Sequence, residues 1–239
     1  MILEGANFKI VNISGSPHGG IGNTQFLVKT FAQRLEEKGA NVELVNHYVV
    51  KEHVEECRGC TRCMRKGECV MSEKDDVKDM VQDLLSADLV VFSSPIYVLN
   101  VTSLMKKFFD RTAYMTHRIV LENKLGFYVL SSQGLGIDTV SAYMQSVMEA
   151  MGVTVLGSIK GTAIFHNQFL NQEEIDQSID EILTSLEQDF YKETQLYSES
   201  EKKRREKFSS LMDQEEISKK LFHEDYKYWQ TRKKPLKYL

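Results

Sequence analysis

Cysteines stand at positions 57, 60, 63 and 69, and these four are the chain's full complement. The spacing Cys-x2-Cys-x2-Cys-x5-Cys lets a looped backbone turn several sulfurs toward one point, which is the ligand chemistry of an iron-sulfur cluster. Two other readings fit the same residues: a tetrahedral zinc site and free or redox-active thiols. Zinc sites usually pair two Cys-x2-Cys knuckles across a longer stretch, so three cysteines at successive three-residue steps suit iron better. Arg58, Arg62, Arg65 and Lys66 lie among them and favour thiolate in every case, so they do not discriminate. So tight a group argues for local metal or redox chemistry and against a disulfide framework.

A second kind of chemistry is written in three loops. The first runs from Ser14 to Thr24, Ser-Gly-Ser-Pro-His-Gly-Gly-Ile-Gly-Asn-Thr, between an apolar run and an amphipathic one. Small residues allow backbone N–H groups to close round an anion, a helix start adds favourable partial charge, and Ser16, Asn23 and Thr24 offer side-chain donors. The loop lacks the Gly-Lys-Ser/Thr ending of a P-loop and does not spell Gly-x-Gly-x-x-Gly. The second apolar run ends in Asn46-His47, where a dinucleotide-binding fold would place an acidic residue for the ribose, which disfavours a tightly held NAD. The second loop is Ser93-Ser94-Pro95-Ile96-Tyr97-Val98-Leu99-Asn100, in which Pro95 can stiffen a turn whose remaining backbone groups face a planar ring. The third, Ser131-Ser132-Gln133-Gly134-Leu135-Gly136, is again glycine-rich. Gly-x-Ser-x-Gly does not occur, so there is no hydrolase elbow.

Elements must hold these loops together. Strand-like runs recur at Phe8–Ser14, Val42–Tyr48, Asp88–Ser94, Leu125–Ser132 and Val153–Ala163. Between and after them come helix-like stretches at Asn23–Lys38, Asp75–Ser86, Val101–Thr112, Asp138–Met151 and Glu173–Gln188. In the first of these, Phe26, Leu27, Val28, Phe31 and Leu35 make an apolar face, and Gly39 follows as a stop. The alternation predicts an α/β domain over residues 1–190, a doubly wound five-stranded parallel sheet of flavodoxin order 2-1-3-4-5. Ligands of such sheets bind outside the carboxyl ends of the strands, where the winding reverses, and the three loops all follow strands at that edge.

Gly15-Ser16-Pro17 through Gly22-Asn23-Thr24, followed by Ser94-Pro95-Ile96-Tyr97, resembles the NADPH-dependent FMN reductase branch of the flavodoxin superfamily over roughly residues 7 to 165. The resemblance implies that Ser16, His18, Gly22, Asn23 and Thr24 surround an FMN phosphate, and that Pro95, Ile96, Tyr97 and Val98 with Ser132, Gln133 and Gly134 line the isoalloxazine. His18 stands where such reductases often carry Arg or Lys. The cysteine segment is similar to that of the iron-sulfur flavoproteins, relatives with a 4Fe-4S cluster beside FMN, which would make Cys57, Cys60, Cys63 and Cys69 its ligands. The implied activity is an oxidoreductase that carries electrons from NAD(P)H or a ferredoxin-like donor to a small acceptor such as a flavin, quinone, or azo or nitro aromatic. A homodimer or homotetramer is implied by likeness only. The rival reading is a non-enzymatic electron carrier or redox sensor that uses FMN and the cysteines.

The longest apolar stretches are of strand length, far below the roughly 20 residues of a membrane helix, and the Met1-Ile2-Leu3-Glu4 start lacks a secretory signal, so a cytoplasmic location is expected. Residues 191–239 carry 13 Lys and Arg against 9 Asp and Glu, a surplus of four that leaves −8 for the remainder of a chain of net charge −4. Well-mixed charge of this kind suits a solvated helix rather than nucleic-acid binding. This helical extension has a nearly all-charged run at Ser198–Lys207. Beyond it Phe208, Leu211, Met212, Ile217, Leu221, Phe222, Tyr226 and Trp229 recur at helical intervals, which predicts docking on the body or a partner subunit, or a lid over the flavin. Truncation before Phe208 is then expected to lower stability or change the oligomeric state.

Overall fold

The computed structural model describes residues 3–189, 206, 210 and 215–232. Strand β1 (Asn7–Ser14) lies between β2 (Asn41–Tyr48) and β3 (Leu89–Tyr97), all parallel. β5 (Lys124–Ser132) pairs with β3, and β6 (Val153–Phe165) with β5, in the same direction. Among these five the expected order, 2-1-3-4-5, holds. The sheet is nevertheless mixed and seven-stranded, not a plain five-stranded parallel one. β4 (Asn100–Val101) folds back antiparallel on the end of β3, and β7 (Gln168–Phe169) on the end of β6.

The sequence hid the first of these hairpins for identifiable reasons. β3 runs on through Pro95, which stands in register with Ser131. Residues of a strand address their two neighbours alternately. The Ser93 carbonyl accepts from the Gly15 N–H at 2.8 Å, so Pro95 addresses the same side, where β1 has already ended and no ladder bond is lost. The turn that follows is Val98-Leu99, with φ of 49° and 60°. Two-residue hairpin loops with both φ positive normally carry Asn-Gly, and no such pair announces this one. A β-branched residue is a rare occupant of that conformation. Val98 is also 98% exposed, so its side chain buries almost nothing there. Replacing Val98-Leu99 by Asn-Gly should therefore stabilise the flavin-free protein by about 1–2 kcal/mol, the cost of an L-residue in the left-handed region. An unchanged or lower melting temperature would show that apolar contacts of the tip outweigh its strain.

Both faces of the sheet are covered, which is why its strands read as near-continuous apolar runs. On one face, α1 (Asn23–Glu37) and α7 (Gln172–Asp189) set Leu27, Phe31, Leu35, Ile179 and Leu183 against Ile10, Val91 and Val129. On the other, α3 (Val77–Ser86), α4 (Ser103–Arg111) and α6 (Ile137–Met151) set Met80, Leu84, Phe108, Met144 and Met148 against Val11, Val90 and Phe92. Helix α4 begins two residues later than its periodicity suggests because Thr102 caps it, its Oγ1 accepting from the Met105 N–H at 3.2 Å. The same hydroxyl donates to the Gly15 carbonyl at 2.6 Å and so moors the helix to the first loop. A Cβ at Gly15 would stand 2.6 Å from that of Met105, so only glycine permits this approach.

Two short helices, α2 (Arg62–Lys66) and α5 (Tyr114–Arg118), were not foreseen. In the extension, α8 (Glu215–Leu221) and α9 (His223–Arg232) are described. Trp229 is 4% exposed and packs on Ile119, together with Phe222 and Tyr226. Leu221 remains half exposed. Phe208, Leu211, Met212 and the run 198–205, like the side chain of Ile217, lie outside the described residues. Among the described residues no helix is long and apolar enough to cross a membrane.

Candidate functional site

A cavity of about 690 Å³ opens at the carboxyl ends of β1, β3, β5 and β6. The first loop contributes Ser16, His18, Asn23 and Thr24, the β3–β4 hairpin Pro95 to Leu99, and the β5–α6 loop Ser131 to Gln133 with Leu135. Every residue singled out in the three loops lines it except Gly22 and Gly134. Gly22 acts from behind: a Cβ there would lie 2.6 Å from Ser16 Oγ. Gly134 turns the third loop, its N–H donating to Ser132 Oγ at 2.9 Å with φ of 115°. The sequence reading missed the fourth wall, Ala163, Ile164 and Phe165 at the end of β6. The rule that loops at strand carboxyl ends build the site would have reached it had the fifth strand been followed as well.

One end of the cavity is polar and the other apolar. At the polar end Ser16 is 2% exposed, and its Oγ accepts from the His18 N–H at 3.3 Å. Thr24, 1% exposed, has an Oγ1 with no hydrogen-bond partner among the described residues. A buried hydroxyl without a partner costs about 1–3 kcal/mol, so this atom is poised for a ligand. The first turn of α1 carries no acidic residue, and its leading N–H groups have no intrahelical acceptor. Among the described residues no lysine, arginine or carboxylate lines the cavity. An anion here would be held by dipoles, hydroxyls and His18. Asn23 is engaged otherwise: Nδ2 donates to the Phe165 carbonyl at 3.4 Å, and Oδ1 accepts from the Asn167 N–H at 2.7 Å. It pins the β6–β7 hairpin over the first loop.

Beneath the cradle a buried amide network fixes the strands that carry it. Asn12 Nδ2 donates to Gln25 Oε1 at 3.1 Å and to Asn46 Oδ1 at 3.0 Å, and Ser93 Oγ donates to Asn12 Oδ1 at 2.9 Å. The Asn46 that argued against a dinucleotide site is thus a structural partner of β1. At the apolar end the cavity is lined by Pro95, Ile96, Val98, Leu99, Leu135 and Phe165. The approach of its two walls depends on glycine, since a Cβ at Gly136 would come within 3.1 Å of Leu99 Cα.

The cysteine segment lies apart from this cavity. Thr61 (φ 54°) and Gly67 (φ 85°) bracket the single turn of α2. Cys57 and Cys60 are exposed, whereas Cys63 and Cys69 are half-buried and share a cavity of about 290 Å³ with Arg111 and Tyr114. Burial, and next the neighbouring Cys69, push the Cys63 thiol above its ordinary pKa. Among the described residues no three Cys, His, Asp or Glu side chains converge as a metal site. The structure therefore brings two of the four predicted ligands together and leaves two outside. The donor set, four uncrosslinked thiols on one short loop, has the chemistry of an iron-sulfur site.

A doubly wound sheet with a cavity at its switch point, polar at one end and apolar at the other, defines a flavodoxin-like α/β protein. A profile of the NADPH-dependent FMN reductase family matches residues 8–167, and the chain belongs to that family. It is a flavoprotein oxidoreductase. An iron-sulfur flavoprotein of Archaeoglobus fulgidus is 34% identical over 157 residues, which span 65% of this chain and 69% of that protein. An iron-sulfur flavoprotein of Methanocaldococcus jannaschii is 28% identical over 157 residues, 65% of this chain and 79% of its own length. The apo form of an NADH:FMN oxidoreductase shares the fold, with a TM-score of 0.56 at 20% identity, covering 74% of this chain and 89% of that one.

Proposed function

We propose that the chain binds FMN in the larger cavity and a 4Fe-4S cluster on Cys57, Cys60, Cys63 and Cys69, and passes electrons from NAD(P)H or a ferredoxin-like donor to a small acceptor. The observation that carries the flavin reading is the Thr24 hydroxyl, buried beside a helix start and, among the described residues, unpartnered in a cavity without carboxylates. When bound, FMN supplies the chemistry, accepting hydride at N5 and releasing electrons onward.

The chain's own residues bind and orient. Ser16 and Thr24 would hold the phosphate over the start of α1, with His18 also at this end. Pro95 to Val98 and Ser132 to Gly134 would flank the ring, with Leu99, Leu135 and Phe165 along its edge. No side-chain acid or base is required for the transfer.

The cluster reading is supported by the cysteine spacing and by the relatives, which are named iron-sulfur flavoproteins. It requires the exposed Cys57 and Cys60 to close on the half-buried pair. Residues 1–190 form the flavin-binding unit in this reading and 191–239 an extension. A homo-oligomer would cover the apolar rim in which Val98, Leu135, Phe165 and Leu170 are each at least 70% exposed.

The test is a visible spectrum with iron and acid-labile sulfide assays on anaerobically purified protein. Flavin bands under a broad shoulder, with about four iron per chain, are expected. Flavin without iron would overturn the cluster reading alone. No flavin after reconstitution would overturn the flavin reading.

A further inference from the structure

A fully buried ion pair lies against the cysteine segment. Arg111, the last residue of α4, has a side chain 1% exposed, and that of Asp75 is 0% exposed. Such a pair is weak grounds for stability, because apolar residues of similar volume commonly serve as well. Its hydrogen bonds suggest what the charge is for. Arg111 Nη1 donates to Asp75 Oδ2 and, at 2.9 Å, to the Glu55 carbonyl; Nη2 donates to Asp75 Oδ1 at 3.2 Å and to Cys69 Sγ at 3.6 Å. Asp75 accepts in turn from the N–H groups of Glu55 at 3.0 Å and Val77 at 3.4 Å. The guanidinium thus grips the chain just before the first cysteine and the sulfur of the last one.

Every partner of Asp75 is structural, whereas Arg111 has one redox-active partner. Burial alone would raise the Asp75 carboxyl, but Arg111 and the backbone donors outweigh it and hold the group below its ordinary pKa. Burial would likewise lower Arg111, and Asp75 more than compensates. The two-pronged pairing of Arg111 with Asp75 sets the two opposite charges side by side next to Cys69. A positive charge and an N–H donor on a ligand sulfur favour the reduced, more negative form of an iron-sulfur centre.

We propose that Arg111 is a positioning residue that raises the reduction potential of the centre held by Cys69, and that Asp75 is the opposing charge that limits the rise. The inference rests on the cluster reading given above. Reduction adds one electron, with no bond made or broken, and dithionite supplies that electron in the test.

The experiment is an anaerobic potentiometric titration of the reconstituted full chain, followed by electron paramagnetic resonance for the cluster and visible absorption for FMN. Arg111→Gln leaves the Asp75 charge uncompensated, and the midpoint should fall by the equivalent of a tenfold change in the reduced-to-oxidised ratio, about 59 mV for one electron. Asp75→Asn leaves the Arg111 charge unopposed, and the midpoint should rise by a similar amount. Arg111→Lys, which keeps the charge and loses the fork, should fall between Arg111→Gln and the wild type. The FMN midpoint should stay put in all three.

Opposite signs are the signature, since simple loosening of the segment would move both variants the same way. Shifts of one sign, or none, overturn the proposal while leaving the cluster reading intact. A wild-type protein that takes up no iron overturns both. If Arg111→Gln fails to hold iron, Asp75→Asn decides alone, and a midpoint that does not rise overturns the proposal.

Discussion

Gly22→Ala is expected to weaken FMN binding at least about tenfold, the equivalent of losing one hydrogen bond to a charged group at about 1.5–3 kcal/mol. The backbone tolerates the change, since Gly22 has φ −76° and ψ 159°, open to any residue. The conflict is local and steric. The new Cβ would lie 2.6 Å from Ser16 Oγ and 3.4 Å from His18 Cβ, so the hydroxyl that closes the cradle must swing away and take the bond to the His18 N–H with it. Thr24→Val isolates the other donor and carries a signature with two signs. Removing an unpartnered buried hydroxyl should stabilise the flavin-free protein by about 1 kcal/mol, while FMN affinity falls about tenfold or more. Fluorescence titration of FMN and melting of the flavin-free variants check both halves. Undiminished affinity in both variants would move the phosphate elsewhere.

How much of this was legible follows from which signals are local. The first loop and the Pro95 and Gln133 loops could be read because phosphate cradles and strand-end turns demand small residues and proline at fixed places, and ten of the twelve flavin-site residues proposed from sequence line the observed cavity. Parallel order was legible because strands buried on both faces read as continuous apolar runs between amphipathic stretches. The antiparallel β4 was hidden, since Val98-Leu99 breaks the turn code with a strained conformation and Pro95 sits at the one side of β3 where its missing N–H goes unnoticed. Phe165 and Ile164 look like ordinary strand residues, and only the sheet's order brings them to the cavity. The Arg111–Asp75 pair could not be foreseen either. Its members stand 36 residues apart, and nothing in the local pattern marks an arginine near a helix end as buried.

The extension gives the last expected result, because its helix α9 packs on α2 and α5 beside Cys63 and does not line the flavin cavity. Asp225 is 1% exposed and accepts from Arg118 Nε at 2.6 Å, and it contacts His117 Nδ1 at 3.1 Å. Arg118 Nη2 donates onward to the Cys63 carbonyl at 2.7 Å, and Trp229 Nε1 to the His117 carbonyl at 2.9 Å. One carboxylate and one indole therefore clasp α9 to α5, and through Arg118 to the turn that bears Cys63. Truncating a buried tryptophan costs about 3–5 kcal/mol. Because α9 carries few other buried apolar side chains, the loss should appear as undocking of the helix rather than unfolding of the sheet. Trp229→Ala, and Asp225→Ala by stranding the largely buried Arg118, should speed amide exchange in residues 223–232 and 62–66 by about 100-fold, the factor that about 3 kcal/mol implies. FMN affinity should change less than twofold, since neither residue lines that cavity. Accelerated FMN release would make the helix a flavin lid after all, and unaltered exchange would mean that the clasp is not what holds it. A helix that packs on the turn bearing Cys63 and leaves the flavin cavity alone would make α9 a brace for that turn rather than a lid.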